Sequence, residues 1–254
     1  MSKTKAVIIA TEGLTTNLLF ESLQSQFDIS KVIIENKISR SVVIRRRMKK
    51  IGLLKTFGQI QFLLFVLPFI RADGRIKEIL KENNLTGRPI PEDKIHRIEN
   101  INAVENLAEL LEDAQVIFIN GTRIISKKIL DQTELPVVNI HVGITPKYRG
   151  VHGGYWALYY RDAEFFGTTL HYVDSGIDTG GVICQKIVKP APEDNFKSYP
   201  ILQYCAGLEA IRENFESIVS GERKTRPPLV KESRLHYHPG FVQYLAGRIF
   251  RGIK

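Results

Sequence analysis

The sequence contains little cysteine and no long hydrophobic run. Its two cysteines, Cys184 and Cys205, cannot build a disulfide framework, which excludes the small disulfide-stapled class and favours a reducing, cytoplasmic setting. The most apolar stretch, residues 60–70, is interrupted by Gln61 and Pro68 and is too short to span a bilayer. The apolar run near the start is likewise too brief for a signal peptide.

Acidic residues are outnumbered by basic ones, 27 against 36, which gives a net charge of +9. The basic residues cluster in residues 45–50 (RRRMKK) and 248–254 (RIFRGIK). Such clusters suit nucleic acid, a membrane surface or a phosphorylated small molecule, but they also occur as solvated faces. The sequence leaves these alternatives open.

The pattern along the chain predicts an α/β fold. Short apolar segments alternate with segments of helical periodicity up to residue 141, which favours a Rossmann-like, mostly parallel sheet with helices on both faces. The predicted strands are residues 5–10, 31–35, 96–101, 114–120, 135–141, 168–174 and 181–189. The last two follow closely and are expected to be antiparallel. We expect a catalytic domain over residues 1–190 and a small C-terminal extension over 191–254, with one long helix ending at Gly221.

Residues 39–70 do not fit the alternation of strands and helices, because they form a basic and then apolar insertion. Its length favours a helical hairpin packed on the sheet. A helix lying on a membrane surface is the alternative.

Polar side chains at the end of the fifth predicted strand indicate chemistry. Asn139 and His141 are two residues apart, so both side chains point to the same face of a strand. The carboxyl edge of an open parallel sheet is where ligands bind. An amide can donate to a developing oxyanion, and an imidazole can donate or move a proton.

A loop between the last two strands adds carboxylates. Asp174 and Asp178 lie in a glycine-flanked stretch, HYVDSGIDTGG. A carboxylate that reaches an imidazole fixes its tautomer and raises its proton affinity. We interpret Asp174 as a turn residue and Asp178 as the partner of the histidine.

Together these motifs resemble the folate-dependent formyltransferases. The resemblance rests on Asn139-x-His141, Pro146, YRG at 148–150, Trp156 and GTTLHYVDSGIDTGG, and it covers roughly residues 3–190. It implies that the fold is the formyltransferase fold and that the catalytic residues are Asn139, His141 and Asp178. It also implies 10-formyltetrahydrofolate as formyl donor, with no metal.

The resemblance further implies two sets of binding residues. The folate-binding set is Phe118, Ile119, Gly121, Thr122, Arg123, Ile124, Gly143, Ile144, Thr145, Pro146, Asp174 and Ile177. The acceptor-binding set is Gly13, Asn17, Arg149, His152 and Tyr155. Trp156 is expected in the core. The loop after the first strand, TEGLTTNLLF, has only one glycine, so a backbone cradle for a ribosyl phosphate is weakened.

Within the family, residues 145–162 and 233–241 resemble most the short nucleotide-sugar N-formyltransferases of the GDP-perosamine type. This predicts attack of a sugar amine on the formyl group through a tetrahedral intermediate, in polysaccharide biosynthesis. The expected partner is a small nucleotide sugar, without nucleic acid or stable membrane insertion, and a homodimer is left open. Alternatives are a methionyl-tRNA or other small-amine formyltransferase, a formyl hydrolase, and a non-catalytic tRNA- or membrane-binding protein.

Overall fold

A seven-stranded mixed sheet forms the centre of the computed structural model, which describes residues 3–254. The strands of the molecule are β1 (Thr4–Ala10), β2 (Phe27–Glu35), β3 (Ile95–Ile98), β4 (Val116–Asn120), β5 (Val137–His141), β6 (Arg149–Gly150), β7 (Gly167–Tyr172), β8 (Val182–Ile187) and β9 (Leu235–His236). The sheet order is β3-β2-β1-β4-β5-β7-β8, with the first five strands parallel and β7 and β8 antiparallel. The predicted α/β fold is confirmed.

Helices cover both faces of this sheet. They are α1 (Leu14–Leu23), α2 (Arg40–Ile51), α3 (Leu53–Phe65), α4 (Asp73–Glu82), α5 (Ala108–Leu111), α6 (Lys127–Leu130), α7 (Gly153–Tyr159), α8 (Tyr199–Glu213), α9 (Phe215–Val219) and α10 (Phe241–Arg251). Side chains of α1, α4 and α8 share one core with the sheet, and those of α5 and α6 share a second core on the other face. The β5 strand is therefore buried from both sides, and its carboxyl end is held firmly in place.

One helix of the fold is short, and the long predicted helix is broken. The chain leaves α5 at Glu112, which has a left-handed φ of 52° that a continuing helix cannot contain. The long helix predicted to end at Gly221 divides at Asn214, whose side-chain amide donates to Ala210 O and ends α8.

The insertion at residues 39–70 forms two helices, as predicted, but its packing differs from the prediction. Only one side of α3 is buried, through Thr56, Gln59 and Phe62. The Phe62 ring lies 5.0 Å from both Phe196 and Tyr244, so α3 packs on α10 and its neighbours instead of on the sheet. No residue of α2 is buried. The apolar side chains of α3 that would have faced a sheet instead face outward.

The membrane criteria give a mixed outcome for this region. Within residues 3–254, no single helix has the length and apolar composition needed to cross a membrane. One pair of helical segments bent by 76°, Leu53–Phe69 with Asp73–Glu82, meets those criteria only when its two parts are counted together.

The segment after residue 190 packs against the elements before it. Helix α8 lies on β7, β5 and β8, and α10 lies on α3. Strand β9 pairs with β6, and the indole of Trp156 donates to Tyr237 O at 2.9 Å. The hydrogen bond from the buried Trp156 of α7 thus holds the C-terminal segment against this helix.

Candidate functional site

A cavity of about 440 Å³ opens at the carboxyl ends of β4 and β5. Its walls are the loop of residues 121–125, the end of β5, the loop of residues 173–178, and residues 235–238. The size suits a small-molecule site. Its position, outside the carboxyl ends of parallel strands, is where open α/β sheets bind ligands.

Asn139 is held in the cavity by the strand opposite. In the β5–β7 register Asn139 pairs with His171, and the two side chains lie 3.2 Å apart between Asn139 Nδ2 and His171 Nε2. His171 Nδ1 donates to Tyr172 O at 2.7 Å, so Nε2 accepts from the amide. Burial lowers the pKa of His171, which keeps this ring neutral. One amide N–H of Asn139 is thereby fixed, and the other is left to point at a ligand.

His141 is buried at the end of β5 with both ring nitrogens in contact. Nε2 lies 2.6 Å from Tyr148 O, to which it donates. Nδ1 lies 3.3 Å from Asp178 Oδ2. The Nδ1–Asp178 contact is an ion-pair distance without the alignment of a hydrogen bond, so Nδ1 can meet a further partner in the cavity as well as Asp178.

Asp178 reaches the histidines because its backbone is in the left-handed region, with φ at 51°. Its Oδ2 accepts from Gly150 N at 2.8 Å, and its Oδ1 lies 3.9 Å from His171 Nε2. Arg149 donates to Ile177 O at 3.1 Å and fixes the preceding residue. The loop that was predicted to bring a carboxylate to the imidazole therefore does so.

A buried carboxylate that the sequence analysis missed holds the loop at residues 121–125. Glu35, at the end of β2, accepts from the backbone N–H groups of Arg123 at 2.7 Å and Ile101 at 3.2 Å. Arg123 Nε lies 2.7 Å from Glu35 Oε2, an ion pair that lacks the alignment of a hydrogen bond. The polar anchoring of this loop leaves its apolar side chains free to line the cavity.

The structure brings only part of the folate-binding set to the cavity. Ile119, Gly121, Thr122, Arg123, Ile124, Asp174 and Ile177 line it. Phe118 does not, because alternate side chains of β4 point to opposite faces and Phe118 packs in the core with Phe27.

Residues 143–146 also lie away from the cavity wall, contrary to expectation. A Cβ on Gly143 would come 2.5 Å from Tyr148 O, so this glycine permits a turn behind His141 instead of an approach to a ligand. Ile144 and Thr145 are buried, and the Thr145–Pro146 bond is cis.

The acceptor-binding set is not brought together at the cavity. Gly13 begins α1, and Asn17 donates to Gly87 O at 3.2 Å. Tyr155 is buried among aromatic rings. Arg149 and His152 do not line the cavity themselves but contact residues that do. Arg149 donates to Ile177 O, and His152 Nε2 lies 3.0 Å from His238 Nδ1.

Side chains that the sequence analysis did not place in the site complete the wall. They are Arg47 of α2, His171, and the histidines at positions 236 and 238. The motif SRLHYHPGF at 233–241 was a signal for the last pair, but Arg47 lay in an unspecific basic cluster. Among residues 3–254 no group of His, Cys, Asp and Glu could hold a metal ion.

One family of known proteins matches the part of the chain that contains this site. Residues 83–200 match the formyl transferase family model. This segment contains Asn139, His141 and Asp178 together with the loops of residues 121–125 and 173–178.

Curated relatives that match part of this chain are named methionyl-tRNA formyltransferases. That of Desulfotalea psychrophila is 34% identical over 118 residues, which cover 46% of this chain and 36% of that protein. That of Myxococcus xanthus is 35% identical over 124 residues, which cover 48% of this chain and 39% of that protein. The chain thus spans less than half the length of these relatives.

Solved structures extend the likeness to most of the fold. A sugar N-formyltransferase from Shewanella sp. FDAARGOS_354 has a TM-score of 0.55 at 13% identity, with 92% of this chain and 76% of that one covered. A phosphoribosylglycinamide formyltransferase from Anaplasma phagocytophilum also has a TM-score of 0.55, at 18% identity, with 92% and 98% covered. At such identities the likeness concerns the fold.

Proposed function

We propose that the chain is an N-formyltransferase that moves the formyl group of 10-formyltetrahydrofolate to the amine of a nucleotide-linked amino sugar. The observation that carries the proposal is the meeting of Asn139, His141 and Asp178 in one cavity, with 3.3 Å between the imidazole and the carboxylate. The match of residues 83–200 to the formyl transferase family supports the same chemistry.

The cavity has the features that a folate needs. Its walls at residues 119–125 and 173–178 combine aliphatic side chains with the polar side chains of Thr122 and Asp174, which suit the flat faces and hydrogen-bonding edge of a pterin. A solved sugar 3N-formyltransferase with a TM-score of 0.53 was crystallised with 5-N-formyl-THF and dTDP. The donor would lie with its formyl carbon near Asn139 and His141.

Asn139 and His141 would stabilise the negative charge that develops on the formyl oxygen. The free N–H of Asn139 and the shared Nδ1–H of His141 would both point to that oxygen. Preorganised donors of this kind are worth about 3–4 kcal/mol each in a water-excluded site. The neutral His171 prevents the amide of Asn139 from rotating away.

Asp178 would manage the protons. The attacking amine must lose a proton and N10 of the folate must gain one. Asp178 Oδ2 already accepts from Gly150 N, whereas Oδ1 lies 3.9 Å from His171 Nε2 and accepts no hydrogen bond from any group within residues 3–254. Oδ1 is therefore placed to take the amine proton, which His141 or a water would pass to the leaving nitrogen.

Arg47 would bind the phosphates of the acceptor. Its half-buried side chain lines the cavity, and no carboxylate within residues 3–254 lies in ion-pair distance of it. A guanidinium without an acidic partner at a cavity wall attracts a diphosphate. This gives the nucleotide sugar a charge partner that the sequence analysis had not identified.

A methionyl-tRNA formyltransferase is the second candidate, because the relatives at 34–35% identity bear that name. It uses the same donor and the same three residues, so only the acceptor separates the two.

The experiment is a formylation screen with 10-formyltetrahydrofolate and the purified full chain. A panel of nucleotide-linked amino sugars and charged initiator methionyl-tRNA are offered separately, and mass spectrometry reads the gain of one formyl group. Formylation of a sugar nucleotide that is absent with Asp178→Asn supports the proposal. Formylation of the tRNA alone would select the second candidate, and no formylation of any acceptor would count against both.

A further inference from the structure

Helix α3 exposes a row of large apolar side chains. Thr56, Gln59 and Phe62 are the buried residues of its inner side. Gln59 donates to His238 O at 2.7 Å, and the Phe62 ring lies 5.0 Å from the Tyr244 ring. Its outer side presents Leu54, which is 85% exposed, and Phe57, which is 58% exposed. Since the inner side is pinned by buried contacts, the outer side cannot turn inward.

Helix α10 continues the same face. Phe250 is 77% exposed, and Val242 and Ile249 are also exposed. Leu54, Phe57 and Val242 line one groove between the two helices. A second groove is lined by side chains of both elements, among them Phe65, Phe69 and Arg248. We call this surface of α2, α3, residues 67–69 and α10 the α3–α10 face.

The charge of the protein is concentrated on this face. Residues 39–70 and 240–254 contain ten Lys and Arg and no Asp or Glu. The chain as a whole carries +9, so the remaining residues together carry −1. The basic side chains are largely exposed, with Arg45, Arg46, Lys49 and Lys50 on α2 and Arg248 and Arg251 on α10. Arg248 lines the second groove together with Phe65 and Phe69.

We propose that the α3–α10 face docks the protein on the surface of an anionic lipid bilayer. Exposed Leu, Phe, Val and Ile side chains beside basic ones are what an interfacial helix uses, with the apolar groups entering the headgroup boundary and the cations meeting lipid phosphates. The proposal is docking on the surface of the bilayer, since no single helix within residues 3–254 is long and apolar enough to span it.

Two other occupants fit this face less well. A second copy of the chain would bring the exposed cations of α2 and α10 against the same cations of its partner, with no acidic residue in residues 39–70 or 240–254 to offset them. A nucleic acid would meet the cations and the exposed phenylalanines, but it would leave the aliphatic side chains of Leu54, Val242 and Ile249 without an apolar partner.

Docking would bring the cavity to the lipid headgroups. Residues 235–238 line both the cavity and the groove that contains Leu54. Arg47 of α2 lines the cavity, and Lys50 lies 5.6 Å from the Tyr237 ring centroid. The proposal needs no chemistry in the cavity and is independent of the formyl acceptor.

The experiment is co-sedimentation of the full chain with phosphatidylcholine vesicles, with and without phosphatidylglycerol. We expect binding to the anionic vesicles only, weakened by salt. A charge variant, R45E/R46E/K49E/K50E, should bind at least about tenfold more weakly, since each basic residue near such a surface contributes. An apolar variant, L54S/F57S/F65S, should also bind more weakly at constant charge. Circular dichroism confirms that each variant is folded.

Matched controls lie elsewhere on the surface. Lys81→Glu changes an exposed lysine of α4, and Leu229→Ser removes an apolar side chain that is 58% exposed, as Phe57 is. Both should bind as the wild type does. Equal binding to neutral and anionic vesicles, or binding by the charge variant as strong as that of the wild type, would overturn the proposal. If no vesicle binding is found, a salt-sensitive complex with tRNA would also overturn the proposal. A dimer that the apolar variant no longer forms would do the same.

Discussion

Two histidines beside the cavity, one buried and one half-buried, predict that the protein loses stability in mild acid. Burial, reinforced by the positive charge of Arg234, lowers the pKa of His236 to about 4. Burial, reinforced by Arg47, lowers the pKa of His238 to about 4. Both rings must stay neutral in the folded protein, whereas in the unfolded chain they take up protons near the usual pKa of about 6.5.

The sign and size of this loss of stability follow from the difference in proton binding between the folded and unfolded chain. Between pH 6.5 and 4 the unfolded chain binds more protons than the folded one, so the free energy of unfolding falls as pH falls through this window. The stability associated with the neutral histidines is fully present above the pKa that they have in the unfolded chain. Lowering the pH from about 7 to about 5 should cost roughly 2 kcal/mol for each of these two histidines, from their pKa values of about 4.

The assay is urea unfolding at the two pH values, with His236→Phe as the test variant. Phenylalanine keeps the ring packing on Tyr148 and Trp156, whose centroids lie 5.2 and 5.5 Å away, but it cannot take up a proton. The variant should lose about 2 kcal/mol less than the wild type on acidification. His96→Phe, at an exposed position of β3, is the control. An identical acid loss in His236→Phe and wild type would refute the reasoning.

Three further predictions concern the site. Asp178→Asn should lower turnover by about two orders of magnitude or more while the fold remains, as measured by formylation rate and by circular dichroism. Glu35→Gln should raise KM for the folate more than it lowers kcat, because Arg123 loses its charge partner and the loop loosens; equal effects on both would contradict this. Gly150→Ala should destabilise the protein by more than about 2 kcal/mol in urea unfolding, since its φ is 93° and a Cβ would lie 2.3 Å from a carbonyl oxygen, whereas Gly74→Ala, with open space around it, should not.

Much of the fold was predictable because its signals are local. Apolar runs of five to seven residues alternating with helical segments gave the strands, and the short connection between β7 and β8 gave their antiparallel pairing. The pair Asn139 and His141 was visible because two polar residues at alternate positions interrupt a buried strand. Asp178 was visible because a carboxylate in a glycine-flanked loop stands out.

The missed residues act over long distances in the sequence. His171 belongs to the site because the β5–β7 register sets it opposite Asn139, and no local pattern fixes that register. Glu35 is visible only as the last residue of a strand, and its partner Arg123 comes 88 residues later. The exposed side of α3 was misjudged because apolar content alone does not say which element covers a helix.

The position of the Asp178 carboxylate depends on residues 191–254, the segment that the sequence analysis treated as a small extension. Successive backbone N–H groups of β6 alternate in direction. Those of Arg149 and Val151 donate to the strand at β9, at 3.1 Å to Arg234 O and 3.2 Å to His236 O. The N–H between them, on Gly150, therefore points the other way and donates to Asp178 at 2.8 Å. Because β9 orients β6, and β6 orients the Asp178 carboxylate, residues 234–236 support the proposed chemistry although they come 56 residues or more after Asp178 in the chain.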